Sequence, residues 1–113
     1  MTPRLATGLL VNALIRRAEG AGGGAMVLAK GDATAGAILL LLVDRGANPH
    51  FVERGLGADG KPGLIPAGPR AFADDTEVTA YWQRRRNSDS DLWVVELDIA
   101  EGERFAAETI AAN

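Results

Sequence analysis

The side chains with the widest chemical repertoire are few. Among 113 residues there is no cysteine and one histidine, His50. That excludes disulfides, thiol nucleophiles, cysteine zinc sites and histidine-rich metal centres, and any imidazole acid–base chemistry must use His50. His50, Val52 and Arg54 fall at every second position, so an extended segment puts them on one face. With Lys30 or Asp32 from a neighbouring turn they would form a polar pocket for an anionic small molecule or nucleotide, with His50 as its titratable group. No nucleophile stands at a recognisable spacing, and neither G-x-S-x-G nor H-E-x-x-H occurs. A lone strand histidine is more often structural than catalytic.

Three further constellations carry a chemical reading and a structural one. Glu96 and Asp98 are two apart, which in a strand separates them by about 7 Å on one face. That suits a carboxylate pair or a hard cation only if other ligands join. Asp98 also opens an acidic capping pattern with Glu101, and Glu96 reads equally well as a surface residue or an arginine's partner. Arg84, Arg85 and Arg86 beside Tyr81 and Trp82 resemble a basic, aromatic surface for RNA. Cations in a last helical turn also complement the helix dipole, and Asp89 and Asp91 stand close enough in sequence to pair with them. Residues 55–60 spell G-x-G-x-x-G, but Lys61-Pro62-Gly63 follows where a dinucleotide fingerprint needs a helix, so the run reads as a hairpin loop. The glycine run 20–24 joins helix to strand, the reverse of a P-loop, and reads as a connector.

The elements that position these residues follow from periodicity. Thr2-Pro3 reads as an N-cap with proline at the first helical position. Gly8, Asn12, Arg16 and Glu19 then mark one narrow polar stripe on a helix that is otherwise largely apolar, and the glycine run ends it. Residues 25–29 form a short apolar strand, Lys30-Gly31-Asp32 a turn, and 35–43 a central strand buried on both faces. Residues 44–49 punctuate, 50–54 form a third strand, and the Ala58-Asp59-Gly60 turn leads to a weak fourth at 63–66. Short turns between consecutive strands predict an antiparallel meander. Asp74 with Glu77 makes an acidic capping box for a helix to about Asn87. Residues 91–97 alternate, with Trp93, Val95 and Leu97 on one face and Leu92, Val94 and Glu96 on the other. A last helix carries Phe105, Ala106 and Ile110. The expectation is one α+β domain over residues 1–113, in the order α-β-β-β-β-α-β-α, with a mainly antiparallel sheet of about five strands and three helices.

Composition narrows the function classes. Hydrophobic residues are 47% and charged residues 24%, as in ordinary globular domains. The longest apolar run is nine residues, against about 20 for a bilayer span, and no secretory pattern opens the chain. A cytoplasmic, non-membrane protein is expected. Net charge is −3, with +2 on residues 1–56 and −5 on residues 57–113, which disfavours nucleic acid. Ten of the twelve basic residues are arginine.

Three stretches together bear a family likeness: Arg4-Leu5 through Arg16-Arg17, Lys30-Gly31-Asp32 with Ala35-Gly36, and Arg84-Arg85-Arg86 through Asp91-Leu92-Trp93-Val94-Val95-Glu96-Leu97-Asp98 to Glu103-Arg104-Phe105. The chain resembles, over nearly its whole length, a bacterial family of small proteins known as domain of unknown function 1491. The resemblance implies a compact α+β domain and brings no established activity, cofactor or catalytic residue. The residues favour a non-enzymatic binding or interaction module that uses no cofactor, with helix 1 as a homodimer or partner interface. The alternatives are a small enzyme or sensor for an anionic small molecule or nucleotide at His50 and Arg54, and RNA binding through Tyr81, Trp82 and Arg84 to Arg86.

Overall fold

A computed structural model describes residues 5–111. The elements are α1 (Thr7–Gly20), β1 (Gly24–Ala29), β2 (Ile38–Asp44), β3 (Ala47–Leu56), β4 (Pro62–Ala67), α2 (Asp75–Ser88), β5 (Trp93–Asp98) and α3 (Gly102–Ala106), the last continued by a π-helical turn, Ala107–Ala111. The α+β class, the three helices and the five strands are as expected. The Thr2-Pro3 cap lies outside the described residues.

The sheet is mixed, not a simple meander. Its order is β1-β5-β2-β3-β4, with β2 parallel to β5 and the other three ladders antiparallel. Only β2-β3-β4 forms a meander. The expectation failed at β1, whose turn to β2 is short in sequence but spans the width of β5. Helix α2 carries the chain back across one face, the long connection that a parallel pairing requires. Strand β5 then enters between β1 and β2.

The central pair is the most apolar part of the chain. In β2 the residues Ile38 to Val43 are all buried, and in β5 so are Trp93, Val94, Val95 and Leu97. Alternation divides them into two layers. Leu40, Leu42, Val52, Trp93, Val95 and Leu97 pack beneath α1 and the C-terminal segment, against Leu10, Val11, Leu14, Ala18, Ala106 and Ile110. Leu39, Leu41, Phe51, Leu92 and Val94 pack beneath α2 with Val78, Tyr81, Trp82 and Phe72. Each fully buried aliphatic side chain contributes about 1.5–3 kcal/mol, so the two layers outweigh any polar contact on the surface.

Helix α1 buries Thr7, Leu10, Val11, Leu14 and Ala18 and leaves Leu9 exposed, as is Leu5 just before the helix. Its apolar breadth is therefore largely taken up by its own core. The buried Thr7 hydroxyl donates to the Gly36 carbonyl at 2.7 Å. The glycine connector is folded against the sheet, since a Cβ at Gly23 would meet Asp98 and Ile99.

Turns account for the remaining differences. Strand β3 starts at Ala47 because Arg45 and Gly46 take φ of 53° and 76° and close a two-residue hairpin, so Pro49 lies within the strand. The Asp74 cap holds, accepting from Glu77 N at 2.9 Å while Glu77 accepts from Ala73 N. The second acidic cap does not form. Helix α3 begins after Glu101 in a left-handed conformation, and Asp98 accepts from Arg45 N at 2.6 Å.

Trp93 is buried and its indole N–H donates to the Asp32 carbonyl at 2.7 Å. Trp93→Ala is expected to destabilise the fold by about 3–5 kcal/mol, read as a lower midpoint in a urea titration, whereas removal of an exposed tryptophan would leave the midpoint nearly unchanged.

Candidate functional site

The groups singled out in the sequence do not converge on one pocket. Asp32 shapes its own turn: its carboxylate accepts from Thr34 N and Ala35 N, and its backbone N–H donates to the Asp91 carbonyl. Lys30 has an exposed side chain, and its carbonyl accepts from Arg86 Nη2 at 3.1 Å. Both lie where the 30–36 loop meets the start of β5, away from His50 at the other end of the sheet.

The three arginines also separate. Arg85 makes a bidentate pair with Glu53 of β3, at 2.8 and 3.0 Å, and donates to the Tyr81 hydroxyl at 3.0 Å. Hydrogen bonding to Glu53 holds the Arg85 guanidinium above its usual pKa against the opposing effect of burial, so it stays charged. Arg86 reaches the Lys30 carbonyl, and Arg84 is exposed. The expected pairing with Asp89 and Asp91 is not made, because Arg85 faces the sheet and Asp89 accepts from Asp91 N. Tyr81 packs its ring on Phe51 and Phe72, with centroids at 4.8 and 6.3 Å. The aromatic and basic groups therefore fasten α2 to the sheet instead of presenting a stacking surface.

Glu96 is half-buried between Met26 and Leu41 on the α2 face, with no ion pair among the described residues. Among those residues no group of three or more His, Asp or Glu is placed to hold a metal ion.

His50 and Arg54 do share one face, beneath the C-terminal segment, but at its two ends. Arg54 Nη2 donates to the Ile110 carbonyl at 3.0 Å, beside a cavity of about 430 Å³ between that segment and the start of α1. The α1 N–H groups there are taken: Thr7 N donates to Thr34 O and Gly8 N to Ala33 O. His50 sits between Glu103 Oε1 at 3.1 Å and the Asn48 carbonyl at 3.1 Å.

At the His50 end a groove of about 660 Å³ opens. Strand β4 ends at Ala67, opposite Phe51, and Gly68 at φ 71° turns the chain away over Phe51. A Cβ at Gly68 would strike the Tyr81 ring, so glycine is required for that turn. The lane beside the first residues of β3 is thereby vacated. Pro49, Pro66, Pro69 and Phe72 line it over the buried Phe51, with His50, Glu103 and Arg70 at its rim. Phe51 and Phe72 meet edge to face at 5.7 Å. Arg70 is exposed and has no hydrogen-bond or ion-pair partner among the described residues.

The lane is closed to a further strand. Pro62 and Pro66 must point their missing N–H away from β3, or the ladder would lose bonds. Pro49, which lines the vacated lane, has no N–H to offer an added strand. Of the groove residues, only His50 is apparent from sequence. Phe72, Arg70 and Glu103 come from a loop and a helix without periodic signal there, and the proline recurrence at 49, 66 and 69 is their one faint trace.

An α+β fold with helices on both faces of a mixed five-stranded sheet and an apolar groove at one corner is thus the class of protein that fold and site define. The chain belongs to the family described as protein of unknown function DUF1491, whose model matches residues 5–107. It is similar to a crystal structure of a DUF1491 family protein from Caulobacter crescentus CB15, at 37% identity over 90% of this chain and 94% of that one, with a TM-score of 0.77. An NMR structure of a DUF1491 family protein from the same organism matches at 37% identity, 92% and 94% coverage and a TM-score of 0.74. The solution structure of protein Atu0922 from A. tumefaciens matches at 32% identity, 88% and 89% coverage and a TM-score of 0.66. No curated protein matches the chain. No helix among the described residues is long and apolar enough to cross a membrane.

The Glu53–Arg85 pair should act as a fastener for α2. Glu53→Ala and Arg85→Ala should each destabilise by about 1–3 kcal/mol, since each leaves a half-buried charge without its partner. In a double-mutant cycle the second substitution should cost clearly less than the first, with a coupling near 1 kcal/mol. Additive losses would mean that the contact contributes nothing.

Proposed function

We propose that this chain is a non-enzymatic binding module whose site is the groove between β3 and residues 66–72, and that it takes a small molecule with an apolar body and an anionic group. The observation that carries this reading is the combination of a proline- and phenylalanine-lined wall with Arg70, a guanidinium that has no protein partner among the described residues. Concave apolar surface with a few convergent polar groups is the general form of a small-ligand site. Its apolar wall would contact the ligand body, and Arg70 would hold a carboxylate or phosphate by paired hydrogen bonds.

His50 has a supporting part. Its ring lies between two acceptors, the Asn48 carbonyl and the Glu103 carboxylate, and the contact to Glu103 links β3 to α3 at the groove's rim. Glu103 is thereby held beside His50 and kept from opposing an anion at Arg70. A cytoplasmic location belongs to the same proposal.

Titration of isotope-labelled protein with 4-phenylbutyrate tests it. Amide shifts should move at residues 48–52 and 66–72, and Arg70→Ala should weaken binding about tenfold, the loss of one charge-assisted contact. Shifts confined to the Arg54 cavity, or none at millimolar ligand, would overturn the assignment.

A further inference from the structure

The two edges of the sheet are treated differently. On the β4 edge, Pro62 and Pro66 remove two of the three outward N–H groups at positions 62, 64 and 66, and Pro49 closes the vacated lane beside β3. Prolines placed in this way stop strands from adding to an edge. The β1 edge carries no proline. Gly24–Ala29 reads GAMVLA, without proline or charge, and leaves Met26 at 58% and Val27 at 38% exposure. Beyond the ladder to β5, no backbone bond reaches this strand's outer edge among the described residues.

We infer that the β1 edge pairs with the β1 edge of a second copy of this chain, antiparallel across a two-fold axis. The charge arrangement around the strand favours a copy of itself as occupant. Strand β1 runs from the C-terminal end of α1, where the helix dipole is negative, Arg17 is neutralised by Glu108 and Glu19 is exposed beside Arg16, to the exposed cation Lys30. Antiparallel pairing centred near Met26 brings each Lys30 to the α1 terminus and Glu19 of the other copy. The uncharged middle of the strand meets itself without repulsion. A two-fold contact of this kind uses up both free edges and ends the assembly at two. The bulge between Val27 and Ala29 bends the far end of the strand and confines the ladder to its first residues. Such a contact falls short of the roughly 800 Å² per partner of a standard interface, so association in the micromolar range is expected. The interface lies beside helix 1 and uses the strand instead of the helix.

Sedimentation equilibrium from 5 to 500 µM tests the pairing. The wild-type mass should rise from 11.8 kDa towards twice that value. Met26→Lys, which places two cations near the axis, should weaken the dimer at least tenfold, while Leu56→Lys, at an equally exposed apolar site on β3, should leave it unchanged. Because a variant can fail for other reasons, amide exchange of the wild type supplies a second reading: protection should grow with concentration at residues 24–27 and nowhere on β4. A strictly monomeric wild type, or a dimer that survives Met26→Lys or is lost in Leu56→Lys, overturns the proposal.

Discussion

The carbonyl of Asp91 is the point at which the first half of the chain grips the second. Asp32 N donates to it at 3.0 Å, and Gly31 and Gly36 both lie so close that a Cβ on either would collide with it. Two further bonds complete the clasp: Trp93 N to the Ala37 carbonyl at 2.8 Å, and the Trp93 indole to the Asp32 carbonyl. Together they set the parallel register in which Ile38 faces Trp93 and Val43 faces Asp98. A slip of one residue would turn every side chain of β5 to the wrong layer. Both cores, and the seats of all three helices, depend on that register.

This clasp explains a motif that looks chemical. Lys30-Gly31-Asp32 and Ala35-Gly36 contain a cation, a carboxylate and two glycines in a turn, the composition of many ligand loops. Here the glycines admit another backbone, and the carboxylate satisfies N–H groups of its own turn. The arginine run has a similar resolution. Arg85 and Arg86 hold α2 to β3 and to the 30–36 loop, and Arg17 holds α1 to the C-terminal segment through Glu108, at 3.1 Å, and the Phe105 ring, at 4.9 Å. Arginine suits these positions because one planar group spans two acceptors or lies over a ring.

The groove is a by-product of ending one strand early. Strand β4 stops at Ala67 while β3 continues to Ala47, and Gly68 sends the chain over Phe51 instead of beside Pro49. An unfilled lane in a sheet is normally a hazard for aggregation. Pro49 removes that hazard while the apolar wall remains, which leaves a concavity suited to a small molecule and unsuited to a strand.

Local chemistry alone determined much of this protein. The apolar run 35–43 reads as a central strand, and its residues from Ile38 on are one while 35–37 stay in the preceding loop; the alternation of residues 91–97 assigns Trp93, Val95 and Leu97 to one layer as observed, and the Asp74 cap starts α2 where the capping box places it. These features depend on neighbours within a few residues, so periodicity and capping reveal them. Partnerships across the chain were decided only by the tertiary structure: β5 between β1 and β2, Arg85 on Glu53 instead of Asp89 or Asp91, Asp98 on Arg45 instead of α3, and Arg70 and Phe72 beside His50. Each joins residues far apart in sequence whose types permit several partners. The choice among those partners follows from the β2–β5 register, which the packing of two buried faces selects and no local pattern encodes.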